Sequence, residues 1–184
     1  MSTRRVSQMN TYEMFSLDGF RLLALVDEKD ISKLWHDGTS RKGDWTPVPV
    51  TFAPTRYGHR TDWDIHPCLG PMFFVTRRGV DILSPVIEPY GEFLPLISTA
   101  GEFYAYNTTY TIDALDHEAS NFTRFPSSGR ISGWNQLAFK EDMIADVPLF
   151  LVPEFPRGHL FLTEHFVECC VRHDLRGVKF KQVV

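Results

Sequence analysis

The sequence predicts an α+β domain, a twisted and mostly antiparallel sheet with a few helices packed on one face. Two stretches suggest it first, because they repeat one unit. Residues 73–76 (FFVT) lead into Arg77, Arg78 and Gly79, and residues 160–163 (LFLT) lead into Glu164, His165 and Phe166. In each, an apolar run too short for a helix stops at a Thr, after which the apolar spacing turns helical. The pattern reads as strand, N-cap and helix, with the Thr hydroxyl accepting from a first-turn N–H, an effect worth roughly 1 kcal/mol. The third observation is the stretch 92–152, where short apolar runs are separated by Pro, Gly and Ser. That is the signature of an antiparallel meander, so strand is expected to outweigh helix.

Taken in order, residues 1–18 are polar with scattered aromatics and read as a loose lead-in. Residues 20–26 (FRLLALV) read as a strand or a short helix. From 37 to 71, four Gly and five Pro interrupt every apolar run, which predicts loop with at most short strands. The first 60 residues are thus expected to be a strand-and-loop segment packed on a main domain of residues 61–184. After the first Thr-capped helix, Pro85 and Pro89 punctuate, and 92–97 reads as an edge or bulged strand because Pro95 cannot donate to a ladder. Residues 103–110 alternate aromatics with small polar side chains, as on a half-exposed strand. Further short strands are expected at 122–125, 130–134, 137–140 and 148–152. In the second helix Phe166, Val167, Cys170 and Val171 form one stripe, with Glu164 at the positive end and Arg172 and His173 at the negative end. Gly177 is expected to end that helix, and Val178, Lys179 and Phe180 to return as a strand.

With 43% hydrophobic residues, the 184-residue chain can bury a substantial core. A net charge of −4 carries no electrostatic footprint for nucleic acid or an anionic membrane surface. No apolar run approaches the roughly 18 residues that a spanning helix needs, and no signal segment is read, so a cytoplasmic protein is expected. Cys68 and the adjacent Cys169 and Cys170 make neither a disulfide framework nor a Cys-x-x-Cys pair, and core packing in a reducing compartment suits them. The charge is unevenly spread: residues 1–60, 61–120 and 121–184 carry +2, −7 and +1.

Two polar sets could carry chemistry. In 62–68 (DWDIHPC), Asp62, Asp64, His66 and Cys68 would share one face of an extended chain, and each can ligate a metal. One strand rarely supplies every ligand, however, and no second His/Cys cluster stands nearby, so no metal is expected; Trp63 and Ile65 would pack inward while the carboxylates face water. The second set is Asp113, Asp116, His117, Glu118 and Ser120, enough for general acid–base work but equally what a turn or helix entrance needs. Glu164, His165 and Glu168 lack the His-Glu-x-x-His spacing and read as a solvated helix face. No nucleophile elbow or phosphate-binding Gly loop occurs.

Residues 62–65, 72–83, 91–96 (GEFLPL), 104–107 (YAYN), 112–116 (IDALD) with Ser120, 149–151, 160–166 and 175–180 (LRGVKF) together resemble the pattern of a bacterial family. It is the polymorphic-toxin immunity protein family numbered eleven, and the resemblance covers about residues 60–184. It implies a non-enzymatic role for a small cytoplasmic protein, encoded beside a toxin, which binds that toxin and blocks it without cofactor or metal. An acidic surface would suit a basic, nuclease-like target. Glu102, Asp113, Asp116 and Glu118, in the acidic third, are the candidate toxin contacts. The competing reading is a small metal-dependent or acid–base hydrolase using Asp62, Asp64, His66 and Asp116.

Overall fold

The computed structural model describes residues 9–34, 37–68, 70–155 and 157–184. In chain order its elements are β1 (Thr11–Ser16), β2 (Leu23–Leu25), β3 (Val50–Phe52), β4 (Ile65–Pro67), β5 (Met72–Thr76), α1 (Arg77–Ile87), β6 (Gly91–Pro95) and β7 (Phe103–Thr108). There follow β8 (Asn121–Arg124), β9 (Ile131–Gln136), α2 (Glu141–Ile144), β10 (Leu149–Phe150), β11 (Phe161–Thr163), α3 (Glu164–Arg172) and β12 (Val178–Gln182). The fold is α+β and strand outweighs helix.

One expected sheet is in fact two four-stranded sheets, β10-β11-β1-β12 and β4-β5-β7-β6, with the two-stranded pairs β2–β3 and β8–β9 outside them. Side-chain alternation explains how both sheets can be covered on both faces. Along β5, Phe73 and Val75 enter a central core shared by both sheets and by helices α1 and α3, whereas Met72 and Phe74 point the other way. The second face is covered by Phe20, Leu23, Leu34 and Val50 from the first third of the chain and by Trp63 just beyond it. Along β10 and β11 the same split occurs: Leu149 and Leu162 face the central core, and Phe150 and Phe161 face a third core filled by Leu115, Leu137, Phe139 and Ile144. Sheets sandwiched in this way read as short continuous apolar runs, which hides the alternation.

Several expectations change accordingly. Within the expected lead-in, residues 1–8 lie outside the described residues, but 11–16 form β1, an interior strand paired with both β11 and β12. Residues 103–108 form β7 between β5 and β6, so this strand is largely buried instead of half exposed. Strand β6 does lie at a sheet edge, ending at Pro95. Pro85 sits within the last turns of α1 without ending it, since a proline ring keeps a helical φ and there forfeits one backbone bond. Residues 137–140 contribute only a bridge between Leu115 and Phe139.

The twin strand–Thr–helix units are both present, but their threonines differ. Thr76 Oγ1 accepts from Gly79 N–H at 3.3 Å and caps α1. Thr163, fully buried, instead donates its hydroxyl to the Val147 carbonyl at 2.6 Å and makes no cap hydrogen bond. In α3 the buried stripe is Phe166, Cys169 and Cys170. Val171 is 71% exposed, because five residues on from Phe166 lies about 140° around a helix. Burial pushes both thiols' pKa values up, which keeps them as core-packing groups. Helix α3 ends at Arg172, with Asp174 taking the left-handed conformation (φ 49°). Gly177 (φ 99°) serves a different purpose: a Cβ there would collide with Trp63 and with the Ile65 carbonyl, so only glycine lets β12 start against residues 63–65.

Candidate interaction site

The 62–68 stretch is where three distant parts of the chain are joined. Asp64, 3% exposed, accepts at Oδ2 from Arg78 Nη1 at 2.7 Å and from the Arg176 backbone N–H at 3.0 Å. Its own N–H donates to the Arg176 carbonyl at 2.8 Å, and its carbonyl accepts from Thr76 N–H at 3.0 Å. Arg78 also donates to the His173 carbonyl at 2.8 Å. Asp62 pairs with Arg176 at 2.7 Å and with Arg60 at 3.1 Å, which lowers its pKa through the Arg60 hydrogen bond above all. One carboxylate therefore ties the first turn of α1 to the chain leaving α3, and Gly79 is needed because a Cβ would press on the Asp64 carbonyl. Contrary to expectation Asp64 is turned away from water and spent on structure.

His66 is likewise enclosed, at 4% exposed. Its Nδ1 lies 2.7 Å from the Pro67 carbonyl, so the proton sits on Nδ1 and Nε2 is an acceptor with no hydrogen-bond partner among the described residues. Burial lowers the His66 pKa and outweighs the opposing effect of that hydrogen bond. His66, Pro67, Cys68, Leu23, Leu25 and Phe74 border a mostly apolar cavity of about 600 Å³. Trp63 and Ile65 pack inward as expected. Asp62, Asp64 and His66 thus do not converge on one open pocket.

The second polar set lies on the third core, between the end of β7 and the start of β8. Asp116 folds the turn: its Oδ1 accepts from Glu118 N–H at 2.9 Å and Ala119 N–H at 3.0 Å, and the Ala138 N–H donates to Ser120 Oγ at 2.9 Å. The bland expectation of a turn is what the structure has. Asp113 lies 3.5 Å from Lys140, and His117 Nε2 is 2.6 Å from Glu154 Oε1. Asp113, His117 and Glu154 bring ligand-capable atoms within 4.8 Å of one another, the one such group among the described residues. His117 and Glu154 already satisfy each other there, and the Lys140 ammonium offsets the charge of Asp113. Glu118 is exposed. Glu102, also exposed, precedes β7 whereas Asp113 follows it, and six strand residues span about 20 Å, so Glu102 stands apart from the other three.

Folding also disperses the acidic third. Of the nine carboxylates between 61 and 120, Asp62, Asp64 and Asp113 pair with Arg60, Arg176 and Lys140 from the flanking thirds, and Asp81 pairs with Arg77. For Glu92, burial works to raise the pKa, but donors at Arg41 N–H, Asn107 and Ser40 outweigh it and hold the carboxyl below its ordinary range. This pins the loop around Arg41 to β6. Sequence reasoning misses these partners because Lys140, Glu154 and Arg176 lie far along the chain. Glu88, Glu102 and Glu118 remain as exposed acids, with Asp113 and Asp116 beside Glu118.

The fold and these sets define a small α+β protein whose first polar stretch is a buried clamp and whose second is a surface turn. No described helix is long and apolar enough to cross a membrane. The chain belongs to the Immunity protein family (Imm11), whose model matches residues 44–184. The match begins well ahead of residue 60, taking in β3 and the loop before it. No curated protein matches the chain. Residues from three of the stretches on which the resemblance rests, 62–65, 72–83 and 175–180, meet at Asp64.

Proposed function

We propose that this protein binds a cognate toxin and neutralises it in the cytoplasm of the bacterium that makes it, with the turn carrying Asp113, Asp116 and Glu118 as the candidate contact and Glu102 as a separate one. The observation that carries the reading is membership of the immunity protein family. Exposed carboxylates on a turn held by its own hydrogen bonds support the choice of surface, since little ordering entropy is lost when a rigid turn docks. Several rim charges acting together raise the association rate toward a basic partner and suppress wrong partners, more than they raise affinity singly. The hydrolase alternative gains nothing from the positions of its residues, because Asp64 and His66 are buried and Asp116 is folded into a turn on another core.

The test is protection in a bacterial host that expresses the toxin encoded by the neighbouring gene. Cells should survive when this protein is co-produced and die when it is not. Death despite abundant folded protein would refute the reading.

A further inference from the structure

The β8–β9 hairpin is the part of the molecule least explained by folding. Among the described residues its strands pair only with each other, and an isolated two-stranded ribbon is marginal by itself. It is held at its root. Trp134 packs on Phe155, His159 and Phe161 with centroids 5.0, 4.5 and 6.3 Å away, and Phe122 lies 5.5 Å from His117. Beyond that root every residue from Thr123 to Arg130 is exposed, and Phe125 places a phenyl ring 54% in water.

The tip is nonetheless rigidly built. Phe125 N–H donates to the Arg130 carbonyl at 2.8 Å, Gly129 N–H returns to the Phe125 carbonyl at 2.9 Å, and Arg124 Nη1 donates to the Gly129 carbonyl at 3.0 Å. Gly129 (φ 69°) supplies the left-handed residue the turn requires. Its charge is equally distinct. From Asn121 to Phe139 there is no Asp or Glu, in a chain of net charge −4, and neither Arg124 nor Arg130 has an ion-pair partner among the described residues. Register shifts at Asn121/Phe122 and Thr123/Arg124 break the edge pattern that an added strand would need, so side chains rather than backbone are what this arm offers.

A preorganised exposed aromatic between two arginines that have no ion-pair partner among the described residues has the composition of an interface anchor. We propose that the hairpin tip, Phe125 flanked by Arg124 and Arg130, inserts into a carboxylate-lined recess of the toxin. This rests on the toxin-binding reading above and adds a partner chemistry opposite in sign to that expected at Asp113, Asp116 and Glu118. The acidic turn packs against the root, and the basic tip lies three to four strand residues beyond Phe122 and Trp134, about 10–13 Å along the ribbon, so the two poles together set the orientation of docking. Two cations are too few for tight nucleic-acid binding, which needs many phosphate contacts.

The experiment measures binding of the toxin encoded by the neighbouring gene to wild type, Phe125→Ala and Arg130→Glu by surface plasmon resonance at low and high salt, with thermal melts as a check of folding. Phe125→Ala should dissociate at least 30-fold faster, and Arg130→Glu should associate about tenfold slower at low salt, both with unchanged melting. Binding within twofold of wild type for both variants would overturn the anchor while leaving the immunity reading intact. A wild type that does not bind the toxin would overturn both. A fluorescent single-stranded oligonucleotide supplies the remaining arm: binding that Phe125→Ala abolishes would overturn the protein partner in favour of nucleic acid.

Discussion

Residues 62–68 and 113–120 offer the same chemistry on paper, two aspartates and a histidine within a few residues, and the fold uses them in opposite ways. In the first, Asp64 and His66 are nearly sealed from water, and Asp64 holds α1 to the chain leaving α3 through Arg78 and Arg176. In the second, Asp113, His117 and Glu118 stand on a surface turn whose backbone is tied by Asp116. The difference teaches that the residue types do not decide between structure and contact; the burial that the rest of the fold imposes on them does. A carboxylate deprived of water must be paired, and removing its role leaves two charged donors without it, whereas a surface carboxylate is free to meet a partner.

The largest effect should separate the two regions by stability. Asp64→Ala is expected to cost roughly 2–4 kcal/mol in urea denaturation, because charge-assisted hydrogen bonds are lost while Arg78 and Arg176 regain only part of their hydration. Asp113→Asn/Asp116→Asn/Glu118→Gln should stay within about 1 kcal/mol of wild type. Equal losses would erase the distinction.

The twin helix entrances sharpen it at smaller scale. Thr163→Val leaves the buried Val147 carbonyl without its hydroxyl donor and should cost about 1–3 kcal/mol. Thr76→Val removes a partly buried cap and should cost about 1 kcal/mol. The reverse order would mean that both hydroxyls act as caps.

Smallest is the pH response of His66. Its folded pKa is lowered, so the unfolded chain takes up a proton first as pH falls below the ordinary value of 6.5. The stability that neutral burial supplies is present above about pH 6.5 and is lost on descent toward the folded pKa. His66→Gln should flatten the slope of unfolding free energy between about pH 7.5 and pH 5; an unaltered slope would place the titration elsewhere.

Local signals make part of this molecule readable from its sequence. Both Thr boundaries, the edge strand ending at Pro95 and the hairpin around residues 126–129 follow from capping, proline and turn chemistry acting over a few residues. The partition into two sheets is not readable, because β5, β10 and β11 are covered on both faces and lose their alternation. Nor is β1, whose polar-looking TYEMFS gains its place only from β11 and β12 more than 140 residues away. At the candidate site the Asx turn at Asp116 is local and legible. The Asp64 clamp depends on Arg176 and is invisible until the chain closes on itself.

Toxin binding through the acidic turn is best tested by titration calorimetry of the neighbouring gene's toxin against wild type and Asp113→Asn/Asp116→Asn/Glu118→Gln, each at two salt concentrations. The triple variant, still folded, should bind at least about 30-fold more weakly, a loss of about 2 kcal/mol, and its affinity should fall less steeply with salt. The same affinity and the same salt slope as wild type would show that the turn is only solvated surface.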